Sequence, residues 1–403
     1  MSQNQPIAVT GLGVVSPHGD TLDAMFAALM RGESAVQSVF PELPKPTAAA
    51  TVAFDAMRWF TKLQLAGVDR VSQLAVAAAD LAVKDAGPLD ADPERVGVYV
   101  GCGMGGAGSL EAAYRSSNGR VPPLTVPAFM PNAPAAHVAM RQHVLGPVLT
   151  YAVACASSAV AIAEAAKAVQ CGEVDVALVG GTEALIVPGV VLAWQAMQTM
   201  ASFESGAAAS AVRPFAADRS GFALGEGAAF LVLESAERAK RRGARVYATL
   251  SGWGISCDAT HLTKPDVPGQ ARALRAALRR ADLQPRDVGY CNAHGTATRI
   301  GDVIERDALA EVWGPDFDTL RVSSTKALHG HLLGAAGALE AAITVLALHQ
   351  RQLPPNAHCH EIDPACRMNL VTETGLAAPQ LNAAISNSFA FGGTNAVLLF
   401  ERS

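Results

Sequence analysis

The chain has 403 residues, half of them apolar and only 17% charged, with a formal net charge of −5. This composition excludes a disordered chain, and the negative charge argues against a dedicated nucleic-acid binder. The N-terminus has no basic region followed by an apolar one, so we expect no signal peptide. Apolar stretches are interrupted by Gly, Asp or Glu before they reach 18 residues, which argues against a membrane span.

The seven cysteines form no CxxC pair and their number is odd, so we predict reduced thiols in a cytoplasmic protein. They stand at positions 102, 155, 171, 257, 291, 359 and 366. His358 and His360 flank Cys359, and Cys366 follows, which are residue types that bind metals. Because this segment lies between Pro and Asn residues, we predict a surface loop and no metal site.

Strand-like and helix-like segments alternate along the chain, which predicts an α/β fold with layered sheets. The predicted strands are 7–15, 96–101, 174–180, 246–257, 288–292, 320–323 and 383–387. The predicted helices are 72–86, 157–170, 270–281, 302–312 and 335–350. Gly87 and Gly172 stand where two of these helices should end.

An internal duplication is visible, because residues 221–234 align with residues 388–401 at a constant spacing of 167. A second match joins Glu164-Ala-Ala to Glu340-Ala-Ala at a spacing of 176, and the same spacing relates Cys155 to His331. We therefore predict two related halves, residues 1–245 and 246–403, which present these two side chains from equivalent helix starts. The alternative is chance similarity between alanine-rich segments.

Four segments carry the residue types of a thioester chemistry. Cys155 lies in YAVACASS, where a strand should end and a helix begin, and a helix N-terminus favours a nucleophilic thiolate. His294 lies in NAHGT, and His331 lies in KALHGHLLGAAG. A glycine-rich segment, NSFAFGGTN, spans residues 387–395. A nucleophile, two imidazoles and a flexible backbone donor can form a thioester and then a carbon–carbon bond.

With these segments the chain resembles the β-ketoacyl-acyl-carrier-protein synthases, condensing enzymes of the thiolase fold, and is most similar to their elongating type I/II branch. The resemblance runs from the strand at residue 7 to the C-terminus. It implies an α/β fold of five layers, α-β-α-β-α, built from two pseudo-symmetric halves. It also implies an acyl carrier protein as partner, substrates on its phosphopantetheine arm without any further cofactor, and a homodimer or a heterodimer with a related subunit.

The resemblance assigns roles to the residues of the four segments. Cys155 would accept the acyl chain, and neutral His294 and His331 would donate hydrogen bonds to a malonyl thioester as carbon dioxide leaves. The positive charge of Lys326 would keep the imidazoles neutral, with Glu305 as its partner. A purely structural ion pair between Lys326 and Glu305 remains an alternative.

The backbone N–H groups of Cys155 and Phe391 would form the oxyanion hole, and the Phe391 side chain would gate access to the thiol. Relatives commonly have glycine where this chain has Ala390, and alanine disfavours positive φ, so loop motion or acyl range could differ. The implied substrate-binding residues are Thr296 and Thr298 for the pantetheine arm, Phe222 and Leu110 for the acyl pocket, and also Phe389. A plain core role is equally open for Phe222 and Leu110.

Carrier proteins are acidic, and the resemblance implies docking residues at Arg58, Lys62 and Arg213. This surface has fewer positively charged residues than the corresponding surface of housekeeping relatives. Arginines at 272, 275 and 279 share one helical face, which we expect to be solvated. His329 stands where relatives have a small polar residue, and we leave open whether it lines the site.

Three functions fit these residues. The first is a decarboxylating 3-oxoacyl-carrier synthase in fatty-acid or polyketide and polyene chain elongation. The second is a non-catalytic subunit that sets chain length in a heterodimer, which the presence of Cys155 opposes because such subunits lack the nucleophile. The third is a thiolase or another acyltransferase; biosynthetic thiolases have a second catalytic cysteine near the C-terminus, where this chain has Phe391. The sequence does not define acyl chain length or starter unit.

Overall fold

The structure, a computed structural model, describes residues 6–116, 118–372 and 374–403. Its strands are β1 Ile7–Val15, β2 Gln37–Val39, β3 Thr47–Ala50, β4 Val96–Gly101, β5 Val148–Tyr151, β6 Val176–Glu183, β7 Leu224–Gly225, β8 Gly227–Ser235, β9 Ala248–Cys257, β10 Tyr290–Asn292, β11 Arg321–Ser323, β12 Gln352–Leu353, β13 Leu376–Ala377, β14 Ala383–Phe389 and β15 Thr394–Glu401. Its α-helices are α1 Leu22–Met30, α2 Arg70–Ala86, α3 Ala107–Tyr114, α4 Thr125–Phe129, α5 Ala133–Gln142, α6 Ser157–Gln170, α7 Pro188–Ala196, α8 Ala236–Arg241, α9 Val267–Ala281, α10 Gly301–Trp313, α11 Lys326–His329 and α12 Ala336–Gln350.

The main sheet consists of two halves with the same strand order. In the first half the order is β5-β4-β6-β8-β1, and in the second it is β11-β10-β14-β15-β9. In each half the first three strands are parallel, and the remaining pairings are antiparallel. The halves join where β1 pairs antiparallel with β9, from Ile7 opposite Leu250 to Val9 opposite Ala248. The predicted pair of related halves is confirmed at the level of topology, while the boundary at residue 245 stays a prediction.

Helices lie on both sides of each half-sheet and between the two. Helices α2 and α5 pack on the outer face of the first half, and α9 and α10 pack on the outer face of the second. Helices α6 and α12 lie between the half-sheets in the largest apolar core. The predicted five-layered, thiolase-like α/β fold is therefore confirmed. Alanine dominates α6, because a helix buried between two sheets needs small side chains on every face.

The first sequence duplication is confirmed, and the second is wrong in register. Strands β8 and β15 begin 167 residues apart and hold equivalent places in the two halves. Helices α6 and α12, however, begin at Ser157 and Ala336, 179 residues apart. Cys155 therefore corresponds to Gly334 rather than to His331. The short Glu-Ala-Ala match misled because small alanine side chains fit equally well in several registers; Glu164 is partly exposed, whereas Glu340 is buried.

The predicted helices and strands all form, with ends shifted by up to three residues. Strands β8 and β15 were missed as strands, because their glycine-rich starts indicate loops. The segment Leu333–Gln350 is apolar enough to cross a membrane by composition, with a mean hydropathy of 1.3, but 89% of it is buried inside the protein. It is therefore a core helix of this fold.

The close contact of the two central helices can be tested with Gly337→Ala. A Cβ atom at Gly337 would lie 2.8 Å from the backbone nitrogen of Ala159 in α6, so the helices would have to separate. We expect the free energy of unfolding to fall by about 1–3 kcal/mol, as measured by urea denaturation at fixed protein concentration. Gly108→Ala is the control, because its Cβ would meet only a carboxylate oxygen at 3.4 Å. Equal stability of the two variants would contradict this packing.

Candidate active site

Cys155 lies on a sharp turn between β5 and α6. The turn Ala154–Ala156 is a single 3-10 turn, and Ala154 has φ of 48°, which is unfavourable for a residue with a side chain. Ser157 stabilises this conformation, because its hydroxyl accepts the Val153 N–H at 2.9 Å and donates to the Ala154 carbonyl at 2.6 Å. The fold therefore fixes the thiol at the start of α6.

His331 contacts the thiol directly. Its Nε2 lies 3.0 Å from Sγ of Cys155. Its backbone is fixed on both sides, because its N–H donates to the Ala223 carbonyl at 2.7 Å and its carbonyl accepts the Gly225 N–H at 2.9 Å. The N–H of Leu333 donates to Nδ1 of His331 at 3.3 Å. A neutral imidazole that accepts at Nδ1 carries its proton on Nε2, which therefore donates toward the sulfur.

His294 completes the group, directly after β10. One ring nitrogen of His294, one of His331 and the sulfur of Cys155 all lie within 4.8 Å of one another. The carboxylate of Glu305 holds the His294 backbone, because it accepts the N–H of His294 at 2.8 Å and that of Gly295 at 2.7 Å. The three predicted catalytic side chains thus meet at one point.

The predicted partner of Lys326 is wrong. Lys326 pairs with Glu340 of α12, with 2.5 Å between Nζ and Oε1, and both side chains are fully buried. Glu305 is unsuited to this pairing because its oxygens already accept backbone N–H groups and the Asn387 side-chain amide, the latter at 3.0 Å. Glu305 therefore orients the backbone of His294, and Glu340 neutralises the lysine.

The buried charge of Lys326 acts on both imidazoles. Burial, reinforced by the nearby Lys326 ammonium, holds the pKa of His294 and His331 well below the usual range. Burial also raises the pKa of Glu340 to about 7, and its pairing with Lys326 opposes this rise. Both histidines are therefore neutral hydrogen-bond donors at physiological pH, as the sequence predicted.

The protonation state of the Cys155 thiol differs from the one expected from the sequence. Burial raises its pKa to about 12, against the opposing effects of Lys326 and of the Phe391 backbone N–H. The start of α6 therefore does not produce a resting thiolate, because removal of the sulfur from water outweighs these charges. The resting site holds a protonated thiol beside two neutral imidazoles.

Phe391 belongs to an aromatic stack over the thiol. Its ring stacks on Trp194 with 6.1 Å between centroids, and Trp194 meets Phe222 edge-on at 5.4 Å. Phe222 in turn lies edge-on to His331 at 5.3 Å. Ala390 does not have a positive φ, so alanine is not unfavourable at this position in this conformation. The turn instead bends at the two glycines that follow Phe391.

A cavity of about 480 Å³ leads from the surface to Cys155. The predicted residues that line it together with the thiol are His294, Thr296, Thr298, Glu305, Phe222, His331, Phe389 and Phe391. The hydroxyls of Thr296 and Thr298 lie 3.1 Å apart. Leu110 does not line this cavity, and its assignment to the acyl pocket stays a prediction. It lies on α3 with 38% of its surface exposed, so its alternative role as a core residue is wrong.

The predicted docking residues also lie apart from the cavity lining. Arg58 is exposed and pairs with Asp20 at 2.8 Å. Arg213 is largely covered, because it pairs with Asp218 at 3.1 Å and donates to the Ser210 carbonyl. Lys62 is exposed on the segment before α2. The docking role of these residues stays a prediction.

His329 is buried and does not line the cavity. One ring nitrogen faces the Gly330 carbonyl at 2.7 Å, and the other faces the Thr325 hydroxyl at 2.9 Å. Burial and the Lys326 charge lower its pKa to about 3. The neutral imidazole therefore stabilises the single turn of α11 through contacts at both ring nitrogens.

Trp194 and Glu340 are among the site residues that the sequence motifs did not indicate. Trp194 was missed because nothing distinguishes it in sequence from a core aromatic residue. Glu340 had a usable signal, since it is the lone charge in the apolar segment Leu333–Gln350, and a buried charge requires a partner. Among the described residues, only Cys155, His294 and His331 form a cluster of metal-binding size, and the segment around Cys359 does not join one.

Comparison with known proteins agrees with this geometry. Residues 4–239 match the family model of the beta-ketoacyl synthase N-terminal domain, and residues 247–360 match that of the C-terminal domain. The chain is 36% identical over 415 residues to 3-oxoacyl-[acyl-carrier-protein] synthase 2 of Staphylococcus aureus (strain COL), covering 100% of this chain and 99% of the relative. It is 39% identical over 404 residues to nodulation protein E of Rhizobium meliloti, covering 98% and 99%.

A solved structure, the ishigamide ketosynthase/chain length factor, superposes with a TM-score of 0.92 at 31% identity and covers 99% of this chain and 100% of its own. The layered fold and the buried thiol with its two imidazoles define a condensing acyltransferase. The chain belongs to the beta-ketoacyl synthase family.

The influence of Lys326 on the imidazoles can be tested with the double variant Lys326→Met/Glu340→Gln, which removes both charges and keeps the side-chain volumes. Without the cation, the pKa of His331 rises, so Nδ1 becomes protonated at higher pH and then opposes the Leu333 N–H. We expect the acid limb of the rate profile for malonyl-thioester decarboxylation to move toward pH 6.5. An unchanged limb would show that the lysine charge does not act on the histidines.

Proposed function

We propose that this protein is a 3-oxoacyl-carrier synthase, which joins an acyl chain on Cys155 to a malonyl unit on an acyl carrier protein. The observation that carries the proposal is the contact of 3.0 Å between the Cys155 sulfur and a His331 ring whose proton is fixed on Nε2. The substrates bring their own phosphopantetheine arm, and the proposed steps use no further cofactor. A second possible function, a non-catalytic chain-length subunit, is not favoured by a chain that retains the thiol.

In the first step the Cys155 sulfur attacks the acyl thioester, and the carrier leaves as a free thiol with the cysteine proton. The Phe391 N–H and the Lys326 charge stabilise negative charge on the sulfur during attack. The N–H groups of Cys155 and Phe391 serve as the oxyanion hole in this proposal. Thr296 and Thr298 supply hydroxyls to the pantetheine arm.

In the second step malonyl carrier enters, and Nε2–H groups of His294 and His331 donate to its thioester carbonyl. Cleavage of the bond to the carboxylate releases carbon dioxide and leaves the electron pair on the enolate. The enolate carbon attacks the acyl-Cys155 carbonyl, the bond to sulfur breaks, and the 3-oxoacyl carrier departs. The thiolate then regains a proton from water.

We further propose that the carrier docks on the cavity mouth. Exposed apolar side chains of Leu262 and Ile300, at 72% and 58% exposure, flank the mouth together with the cations Lys264 and Arg299. The phosphodiester of the arm must cross this rim, so two cations there complement both it and an acidic carrier.

The pathway and the oligomeric assembly of the protein are part of the same proposal. Fatty-acid elongation and a specialised polyketide or polyene pathway both use this reaction. A cytoplasmic dimer is proposed, either of two copies or with a related subunit, in line with the ketosynthase/chain length factor neighbour.

The reaction can be tested by intact-protein mass spectrometry with a panel of acyl carriers, followed by malonyl carrier. We expect an acyl adduct on the wild type that discharges as 3-oxoacyl carrier with release of carbon dioxide, and no adduct on Cys155→Ala. The matched control is Cys366→Ala, which removes another buried thiol that does not line the cavity and should retain the adduct. An adduct that survives in Cys155→Ala would refute the assigned nucleophile.

The docking surface can be tested with Lys264→Glu and Arg299→Glu. We expect KM for acyl carrier to rise about tenfold in each, because the reversed charges repel an acidic carrier. KM for an acyl-N-acetylcysteamine thioester, which lacks carrier and phosphate, should stay unchanged. Arg58→Glu and Lys62→Glu serve as comparison variants, and a larger effect from them would place the carrier on the surface predicted from sequence instead.

A further inference from the structure

Glu183 is a buried carboxyl group for which the reaction described above has no use. It is the last residue of β6 and is fully buried. Its Oε2 accepts the N–H of Gly103 at 2.9 Å and the N–H of Gly334 at 3.0 Å. Gly103 follows β4 in the first half of the molecule, whereas Gly334 lies in the turn that opens α12 in the second half.

The backbones of these two glycines meet around the carboxyl group. A Cβ atom at Gly334 would lie 2.5 Å from the Gly103 nitrogen and 2.6 Å from Oε2 of Glu183. A Cβ atom at Gly103 would lie 2.5 Å from the same oxygen. Only residues without a side chain therefore allow both N–H groups to converge on one oxygen.

No lysine, arginine or histidine lies within 4.0 Å of the Glu183 oxygens among the described residues. Burial raises its pKa to about 7, and the backbone N–H groups oppose this rise. Burial of a carboxyl group without a cation costs free energy, and the hydrogen bonds that the group accepts from its neighbours must offset this cost. These bonds fix the start of α12 against the end of β4.

The same turn holds His331. The residue before Gly334 is Leu333, whose N–H donates to Nδ1 of His331 and whose φ of 48° is unfavourable for leucine. Contacts with other segments must therefore stabilise the Leu333 backbone. The hydrogen bond from the Gly334 N–H to Glu183 is such a contact at the next residue.

We propose that Glu183 is a positioning residue for His331: it holds the Leu333–Gly334 turn against Gly103, and this turn keeps the His331 proton on Nε2, facing the thiol. This proposal rests on the proposed function only for the expected effect of Glu183 on the reaction rate. The protonation site of His331 can be measured without any turnover.

The test combines Glu183→Ala with Glu183→Gln, in protein labelled with ¹⁵N-histidine. The His331 resonances among the ten histidines are assigned from a His331→Asn variant. The wild type should show the Nε2–H tautomer, Glu183→Ala a mixture of both tautomers, and Glu183→Gln, whose amide oxygen can still accept both N–H groups, a spectrum near the wild type. In Glu183→Ala, kcat for malonyl decarboxylation should fall roughly 10- to 100-fold with little change in KM, and Glu183→Gln should lose less.

Asp302→Asn is the matched control, because Asp302 is also fully buried and accepts a backbone N–H, from Phe215 at 2.7 Å, but does not touch the α12 turn. It should leave the His331 tautomer unchanged even if it lowers the melting temperature. A wild-type tautomer in Glu183→Ala would overturn the proposal, whatever the rate. A shifted tautomer in a protein that lacks ketosynthase activity would support the positioning role and refute the proposed function instead.

Discussion

The buried ion pair between Lys326 and Glu340 is the interaction on which the site depends. A lysine placed between two half-sheets without a partner would lose its proton or unfold the core. Glu340 pairs with it at 2.5 Å, and burial together with the Lys326 charge lowers the pKa of His294 and His331. Burial and one fixed cation thus keep both imidazoles of the site neutral.

The same pair explains why the site lies where the two halves meet. Glu340 projects from α12, the central helix of the second half, and Cys155 precedes α6, the central helix of the first. The two helices are in direct contact, since the Ala338 N–H donates to the Ser158 hydroxyl at 2.8 Å. The thiol, the imidazoles and the cation therefore approach one another only when both halves are folded and packed.

The sequence predicted the layered architecture and the cysteine and two histidines of the site because local patterns encode them: alternating strand and helix periodicity, and short motifs around these residues. It failed where the answer depends on which buried groups face each other. The partner of Lys326 was assigned to Glu305 instead of Glu340, and the register of α12 was displaced by three residues. Burial also reversed the expectation for the thiol, because desolvation is a property of the packed core that a helix start does not reveal.

The geometry at the thiol also bears on the order of the reaction. At rest, the Nε2–H of His331 is directed to the Cys155 sulfur, so the donor proposed for decarboxylation is already engaged. Acylation turns this sulfur into that of a thioester, which is a weaker hydrogen-bond acceptor than the sulfur of a free thiol. The N–H is then released toward a second carbonyl. In the proposed mechanism a malonyl unit would therefore meet a free pair of donors only after the acyl chain is in place, which would limit wasteful loss of carbon dioxide before a chain can be extended.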